Sequence, residues 1–171
     1  EISDHLKRAV LAAEDDGFTQ HEGVQWQAIE QARLRNERAL ERANDKRPAK
    51  LRGGSTVTQQ LAKNLLLSGE RTLLRKGQEL VLAYALEHLL DKRRILEIYL
   101  NNVEWGQGVF GAEAAARHYF GTSAKQLSAA QAARLAVMLP APKRFEKAPQ
   151  SAYLTARARA IQGRMAATQL P

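Results

Sequence analysis

The 171-residue sequence predicts an all-α fold, about eight helices packed around one central apolar helix. Three observations predict it. Apolar residues recur at helical spacing in segment after segment, several of them opened by a Ser, Thr or Asp cap. Leu80 to Leu90 is apolar on nearly every face, the pattern of a helix surrounded by protein. No run alternates as a pair of strands would, and neither an internal repeat nor a low-complexity segment interrupts the pattern. The length suits one domain with a real core.

Taken in order, residues 3–15 form a helix capped by Ser3 or Asp4, with Leu6, Ala9, Val10 and Ala13 as its apolar stripe. It delivers Glu14-Asp15-Asp16 to its C-terminal end, where carboxylates oppose the helix dipole and raise one another's proton affinity. Such a local conflict marks a place to look for function. Residues 17–23 are a loop between two glycines, with Phe18 turned inward and His21 either a structural hydrogen-bonder or part of a site. Val24 to about Asn44 is a helix with a weak stripe (Trp26, Ile29, Ala32, Leu34, Leu40), and 45–54 is a basic linker, either solvated or facing a ligand.

Gly53-Gly54-Ser55-Thr56 then leads into a helix through a capping box, Thr56 with Gln59, and the helix runs to a break at Ser68-Gly69. Residues 71–90 are the strongest helix and the expected centre of the core. Asp91 caps the next, which packs Ile95, Leu96, Ile98, Tyr99 and Leu100 and places Glu97 as a buried structural carboxylate. Residues 101–108 are a turn-rich loop, and Gly111 to Tyr119 is an alanine-rich helix. Ser128 and Gln131 form a second capping box before a helix that stops at Pro140-Ala141-Pro142, and 151–168 is a final basic helix.

A net charge of +8 calls for an acidic partner: nucleic acid, an anionic membrane surface or a phosphorylated substrate. The absence of cysteine excludes disulfides, thiolate zinc sites and a cysteine nucleophile while leaving the compartment open. No stretch approaches the roughly eighteen apolar residues of a membrane span. The chain starts at Glu1 without a methionine or a signal peptide and enters a helix almost at once, as expected of a form from which upstream sequence, and with it an anchor, has been removed.

The stretch from Gly53 to Asn64 has the outline of an anion site, since a glycine-rich loop and a helix N-terminus present N–H groups and a positive dipole end. Lys63 lies on that helix, and Arg71, Arg75 and Glu79 recur every four residues on the next, on one face. Ser55, Thr56, Gln59, Gln60 and Asn64 add uncharged donors, so the ligand suggested is a phosphate carried by a sugar; a polar loop beside a solvated charged face is the alternative. Glu79, beside Arg75 and Lys76, should stay ionised and make a poor general acid. Glu14, beside two carboxylates, is the better base. One base among cations fits transfer from a donor whose leaving group is already a phosphate, because a diphosphate needs charge stabilisation rather than a proton.

Four segments carry a family resemblance. Glu14 to Gly23 fits E-D-x-x-F-x-x-H-x-G, Gly53 to Asn64 fits G-x-S-T-x-T-Q-Q-x-x-K-N with Gly54 as x, Arg75 to Glu79 fits R-K-x-x-E, and Lys92 to Asn101 fits K-x-x-I-L-E-x-Y-L-N. In this order they resemble the bacterial peptidoglycan glycosyltransferases that polymerise lipid II. The resemblance implies a lysozyme-like helical large lobe, a small membrane-facing lobe at about residues 24–52 and a cleft between them, all within one domain over 1–171. It implies that Glu14 is the general base for the acceptor GlcNAc C4 hydroxyl, which attacks MurNAc C1 with inversion as undecaprenyl diphosphate leaves. Lys63, Arg71, Arg75 and Lys76 would hold phosphates, with Glu79 as the second catalytic carboxylate ordering them. Ser55, Thr56, Gln59, Gln60 and Asn64 would line the sugar and phosphate sites, and Asp15, Phe18 and His21 would shape the surroundings of the base. The implied partners are lipid II, the growing glycan chain, the anionic membrane surface and cell-wall synthesis proteins, not nucleic acid. The implied location is the periplasmic face of the inner membrane, reached through an N-terminal anchor missing here.

No cofactor is required by this reading. A divalent cation, Mg or Mn, has room at the diphosphate, although no His/Asp/Glu spacing defines a cage and no metal ligand is assigned. The absence of a Ser-x-x-Lys motif points to a monofunctional form. The rivals are a lysozyme-type hydrolase or lytic enzyme, which would use Glu14 as an acid without phosphate-binding cations, and a basic helical nucleic-acid-binding module.

Overall fold

Ser3 opens the first helix, α1 (Asp4–Glu14): its Oγ accepts from the His5 N–H and donates to the Leu127 carbonyl, fastening the start of the chain to the core. The computed structural model describes residues 1–43, 53–66 and 72–171. Next come α2 (Trp26–Glu41), α3 (Val57–Leu66), α4 (Leu73–Leu89) and α5 (Lys92–Asn102). A hairpin of β1 (Glu104–Gly106) and β2 (Val109–Phe110) leads to α6 (Ala112–Phe120), and α7 (Ala129–Met138), α8 (Pro142–Phe145) and α9 (Ala152–Met165) complete the chain. The class is the all-α, lysozyme-like one that the sequence predicts.

The centre is not where apolar content alone puts it. α1 is buried along Leu6, Ala9, Val10, Leu11 and Ala12 and packs against α7 and α9, while α7 hides Ala132, Ala133 and Leu135 to Met138. Small side chains let these helices approach closely, so a stripe rich in alanine becomes the middle of the core. α4, expected there, is peripheral: it packs on α3 and α5, and only Glu79 and Ala83 are fully buried. Val81, Tyr84 and Leu89 face outward, Leu89 with 77% of its surface exposed. All-round apolarity does not say whether the far side of a helix meets protein or some other apolar medium.

Two smaller expectations are also corrected. The turn-rich loop contains an antiparallel strand pair, Glu104 opposite Phe110 and Gly106 opposite Val109, with Gly108 at a positive φ in the turn. Strands this short offer no alternation to read. Trp105 is buried beneath it and donates from its indole N–H to the Leu135 carbonyl, joining hairpin to α7. Glu97 is exposed on α5 in an ion pair with Arg94, because Ile95, Leu96, Tyr99 and Leu100 take the opposite face inward.

Both capping boxes form, at Thr56–Gln59 and at Ser128–Gln131, and Asp91 caps α5 through the Arg94 N–H. Most of the basic linker, the Ser68-Gly69 break and Arg71 lie outside the described residues.

Candidate active site

The acidic cluster at the end of α1 separates into three different environments. Asp15 is buried and accepts from the Val57 N–H at 2.9 Å and from His21 Nε2 at 2.8 Å. His21 Nδ1 accepts from the Gly23 N–H, which places the ring proton on Nε2, the atom that donates to Asp15. Thr56 Oγ1 in turn donates to the Gly23 carbonyl at 2.5 Å. The loop after α1 is thus stitched to the start of α3, and Phe18 fills the space behind His21 with Lys92 Nζ 4.5 Å from its ring centre.

This stitching revises the anion site read at the α3 N-terminus. The Val57 N–H is taken by Asp15 and the Gln59 N–H by Thr56 Oγ1, so the anion at this helix start is the protein's own carboxylate. Asp16 leaves the group altogether, turning out to pair with Arg164 at 3.1 Å.

Glu14, half-buried, is the carboxylate left facing the cleft. Its Oε2 accepts from Gln60 Nε2 at 3.0 Å, and Gln60 Oε1 accepts from the Tyr99 hydroxyl at 2.9 Å. Burial pushes its pKa up and the Asp15 charge adds to that, while the Gln60 hydrogen bond and the Arg157 charge pull it down. The net shift is upward, toward the range useful for exchanging a proton near neutral pH. Asp16 has no part in it.

The cations of α3 and α4 line the same cleft as Glu14. Lys63 and Asn64 follow Gln60 by three and four residues and so share its face of α3. On α4, Lys76 Nζ donates to Glu79 Oε1 at 2.7 Å and to Ser55 Oγ at 3.1 Å, tying the glycine loop to the helix. Arg75 donates to Gln78 at 3.2 Å. Glu14, Asp15, Ser55, Thr56, Gln60, Lys63, Asn64, Arg75, Lys76 and Glu79 all line one cleft of about 1390 Å³.

Phe18, His21 and Gln59 do not line it; they support it from behind, and the buried Gln59 Nε2 has no hydrogen-bond partner among the described residues. Sequence reasoning missed the far wall of the cleft, where α8 and α9 contribute Arg144, Tyr153, Arg157 and Arg164. The spacing of Arg157, Ile161 and Arg164 on one face of α9 was the available signal.

Among the described residues no three His, Asp or Glu side chains cluster to hold a metal ion. The carboxylates beside the cations are already engaged, Glu79 by Lys76, Glu14 by Gln60 and Asp15 by Val57 and His21. The residues present do not fit a protein-built cation cage.

Residues 1–166 match the protein family described as Transglycosylase. The chain belongs to that family. It is similar to the biosynthetic peptidoglycan transglycosylase of Bordetella pertussis, 57% identical over 170 residues that cover 99% of this chain and 69% of the relative. The protein of that name from Herminiimonas arsenicoxydans is 56% identical over 170 residues, covering 99% and 70%. That from Paraburkholderia phytofirmans is 55% identical over 172 residues, covering 100% and 68%. In this transglycosylase the cleft sets Glu14 among cations drawn from α3, α4, α8 and α9.

Proposed function

We propose that this transglycosylase is a peptidoglycan glycosyltransferase that polymerises lipid II, with Glu14 as the general base. The observation that carries the reading is the pairing, in one cleft, of a half-buried carboxylate whose pKa is raised with a wall bearing Lys63, Arg75 and Lys76. In the step proposed, Glu14 takes the proton of the acceptor GlcNAc C4 hydroxyl as that oxygen bonds to MurNAc C1 of the growing chain. The C1–O bond to the diphosphate breaks, inverting C1, and its electron pair leaves with undecaprenyl diphosphate. The cations stabilise the departing charge, and fixed charges in a partly desolvated cleft do so without reorganising. Glu79 orders Lys76, and with it Ser55, at that wall. Asp15 and His21 hold the loop that aims Glu14.

The substrates are then lipid II and the growing glycan, and the enzyme works at the cell envelope. A lipid-linked leaving group needs a membrane beside the cleft. Leu73 and Leu74 at the start of α4, 93% and 73% exposed, and Leu65 and Leu66 at the end of α3 offer an apolar surface there. Trp26, Leu34 and Leu40 are also exposed on α2, in the region proposed as the small membrane-facing lobe. The net charge of +8 suits an anionic lipid surface. Among the described residues no helix is long and apolar enough to cross a membrane. The location proposed is the periplasmic face of the inner membrane.

A raised Glu14 would also serve a glycan hydrolase as its acid, so the two activities must be separated by substrate. Incubated with lipid II, the protein is expected to give a ladder of glycan strands on a gel and to leave lipid-free glycan intact. Cleavage of the finished glycan without polymerisation overturns the proposal.

A further inference from the structure

We propose that Tyr99 is a positioning residue for catalysis, its buried hydroxyl holding the Gln60 amide in the one orientation that presents an N–H to Glu14. The proposal rests on the reading of Glu14 as the base. Tyr99 sits on α5 with 1% of its surface exposed, and its hydroxyl emerges behind the cleft floor at 2.9 Å from Gln60 Oε1. On the other side of the same amide, Gln60 Nε2 donates to Glu14 Oε2 at 3.0 Å. A glutamine amide has two faces of nearly equal shape and opposite chemistry. Turned over, Gln60 would set its carbonyl oxygen against the Glu14 carboxylate and its NH2 group against Tyr99.

Tyr99 supports the observed orientation because its hydroxyl donates to Gln60 Oε1, a hydrogen bond the turned amide would lose. Burial and the charges of Glu14 and Asp15 push the phenol pKa well above its ordinary value, so the proton is never lost over the working range. With the amide locked, one oxygen of Glu14 is held and the carboxylate is aimed, which is the positioning a proton acceptor needs. The family motif that contains Tyr99 thereby reaches the reacting carboxylate through one intermediate side chain.

Removing the hydroxyl changes no charge, so its effect on Glu14 runs through the amide. The groups acting on Glu14 are Gln60, Asp15 and Arg157, and of these the Gln60 hydrogen bond opposes the rise caused by burial. When Gln60 is free to turn, that opposition weakens, the Glu14 pKa rises further and the base is protonated at a higher pH. In Tyr99→Phe, kcat should fall about tenfold, the equivalent of one hydrogen bond of ordinary strength. KM for lipid II should stay within about twofold, and the acid limb of the kcat–pH profile should move to higher pH. In a Gln60→Ala background, Tyr99→Phe should add nothing further.

The pH at which the acid limb falls does not depend on how much of the sample is folded, so partial misfolding leaves this readout intact. An unmoved limb, or the same loss with and without Gln60, overturns the role of Tyr99. Full activity of Glu14→Gln would instead overturn the base assignment beneath it, and the two failures are separate.

Discussion

Burial and the neighbouring Asp15 raise the proton affinity of Glu14, so holding it ionised costs the folded state stability that a neutral side chain would keep. Its folded pKa lies above its unfolded one. Below the ordinary carboxylate range the group is protonated in both states and no penalty exists; as pH rises through the folded value, the penalty appears. Glu14→Gln should therefore melt higher than the parent at neutral pH, with the gap closing below about pH 4. Thermal unfolding of both proteins across that range checks it, and a lower melting temperature for the variant at neutral pH would contradict it.

The residues that spacing places together, Gln60 with Lys63 and Asn64 on α3 and Arg75 with Lys76 and Glu79 on α4, do share the cleft, because helical periodicity is a local property. Arg144, Arg157 and Arg164 escaped notice because only tertiary packing brings α8 and α9 to Glu14. Asp16 was misjudged for a similar reason: adjacency in sequence does not survive the turn at the end of α1, which sends it to Arg164.

Among the elements, the entry to α3 sets the shape of the cleft. Thr56 caps the helix and holds the Gly23 carbonyl, Asp15 takes the Val57 N–H, and Ser55 is tied to Lys76. Gly54 lets this entry lie against α2: a Cβ there would stand 2.8 Å from the Ala28 carbonyl oxygen and 2.9 Å from Ile29 Cα, both backbone. Among the described residues Gly53 has nothing within 4 Å of its would-be Cβ. Gly54→Ala is thus expected to destabilise the protein by about 1–3 kcal/mol through forced separation of α2 from the loop. Gly53→Ala should be nearly silent. Denaturant unfolding of the pair decides it, and equal effects would mean that the close approach to α2 is not what Gly54 provides. The capping box was legible because its chemistry is written in four residues; the approach to α2 was not, since it depends on a contact between distant segments.

At the scale of the molecule, a net charge of +8 and the large apolar side chains exposed on α2, α3 and α4 are the features behind the proposal that this protein meets an anionic membrane surface. One face of α4 meets α3 and α5 while Leu73, Leu74, Val81 and Leu89 stay exposed, and composition alone does not distinguish the two faces. The protein should sediment with vesicles containing anionic lipid. Replacing both Leu73 and Leu74 with Ser should weaken that binding by about tenfold, even at high salt where the electrostatic part is screened. Binding unchanged by the double substitution would remove α4 from the membrane face.

The claim on which the rest depends is that Glu14 accepts the proton in transfer from a lipid diphosphate. Polymerisation of lipid II by Glu14→Gln, beside the parent and with melting curves showing that both are folded, tests it most directly. Long glycan from the parent and none from the folded variant is the expected result; glycan made by Glu14→Gln at the parent's rate would contradict the role of Glu14 as base.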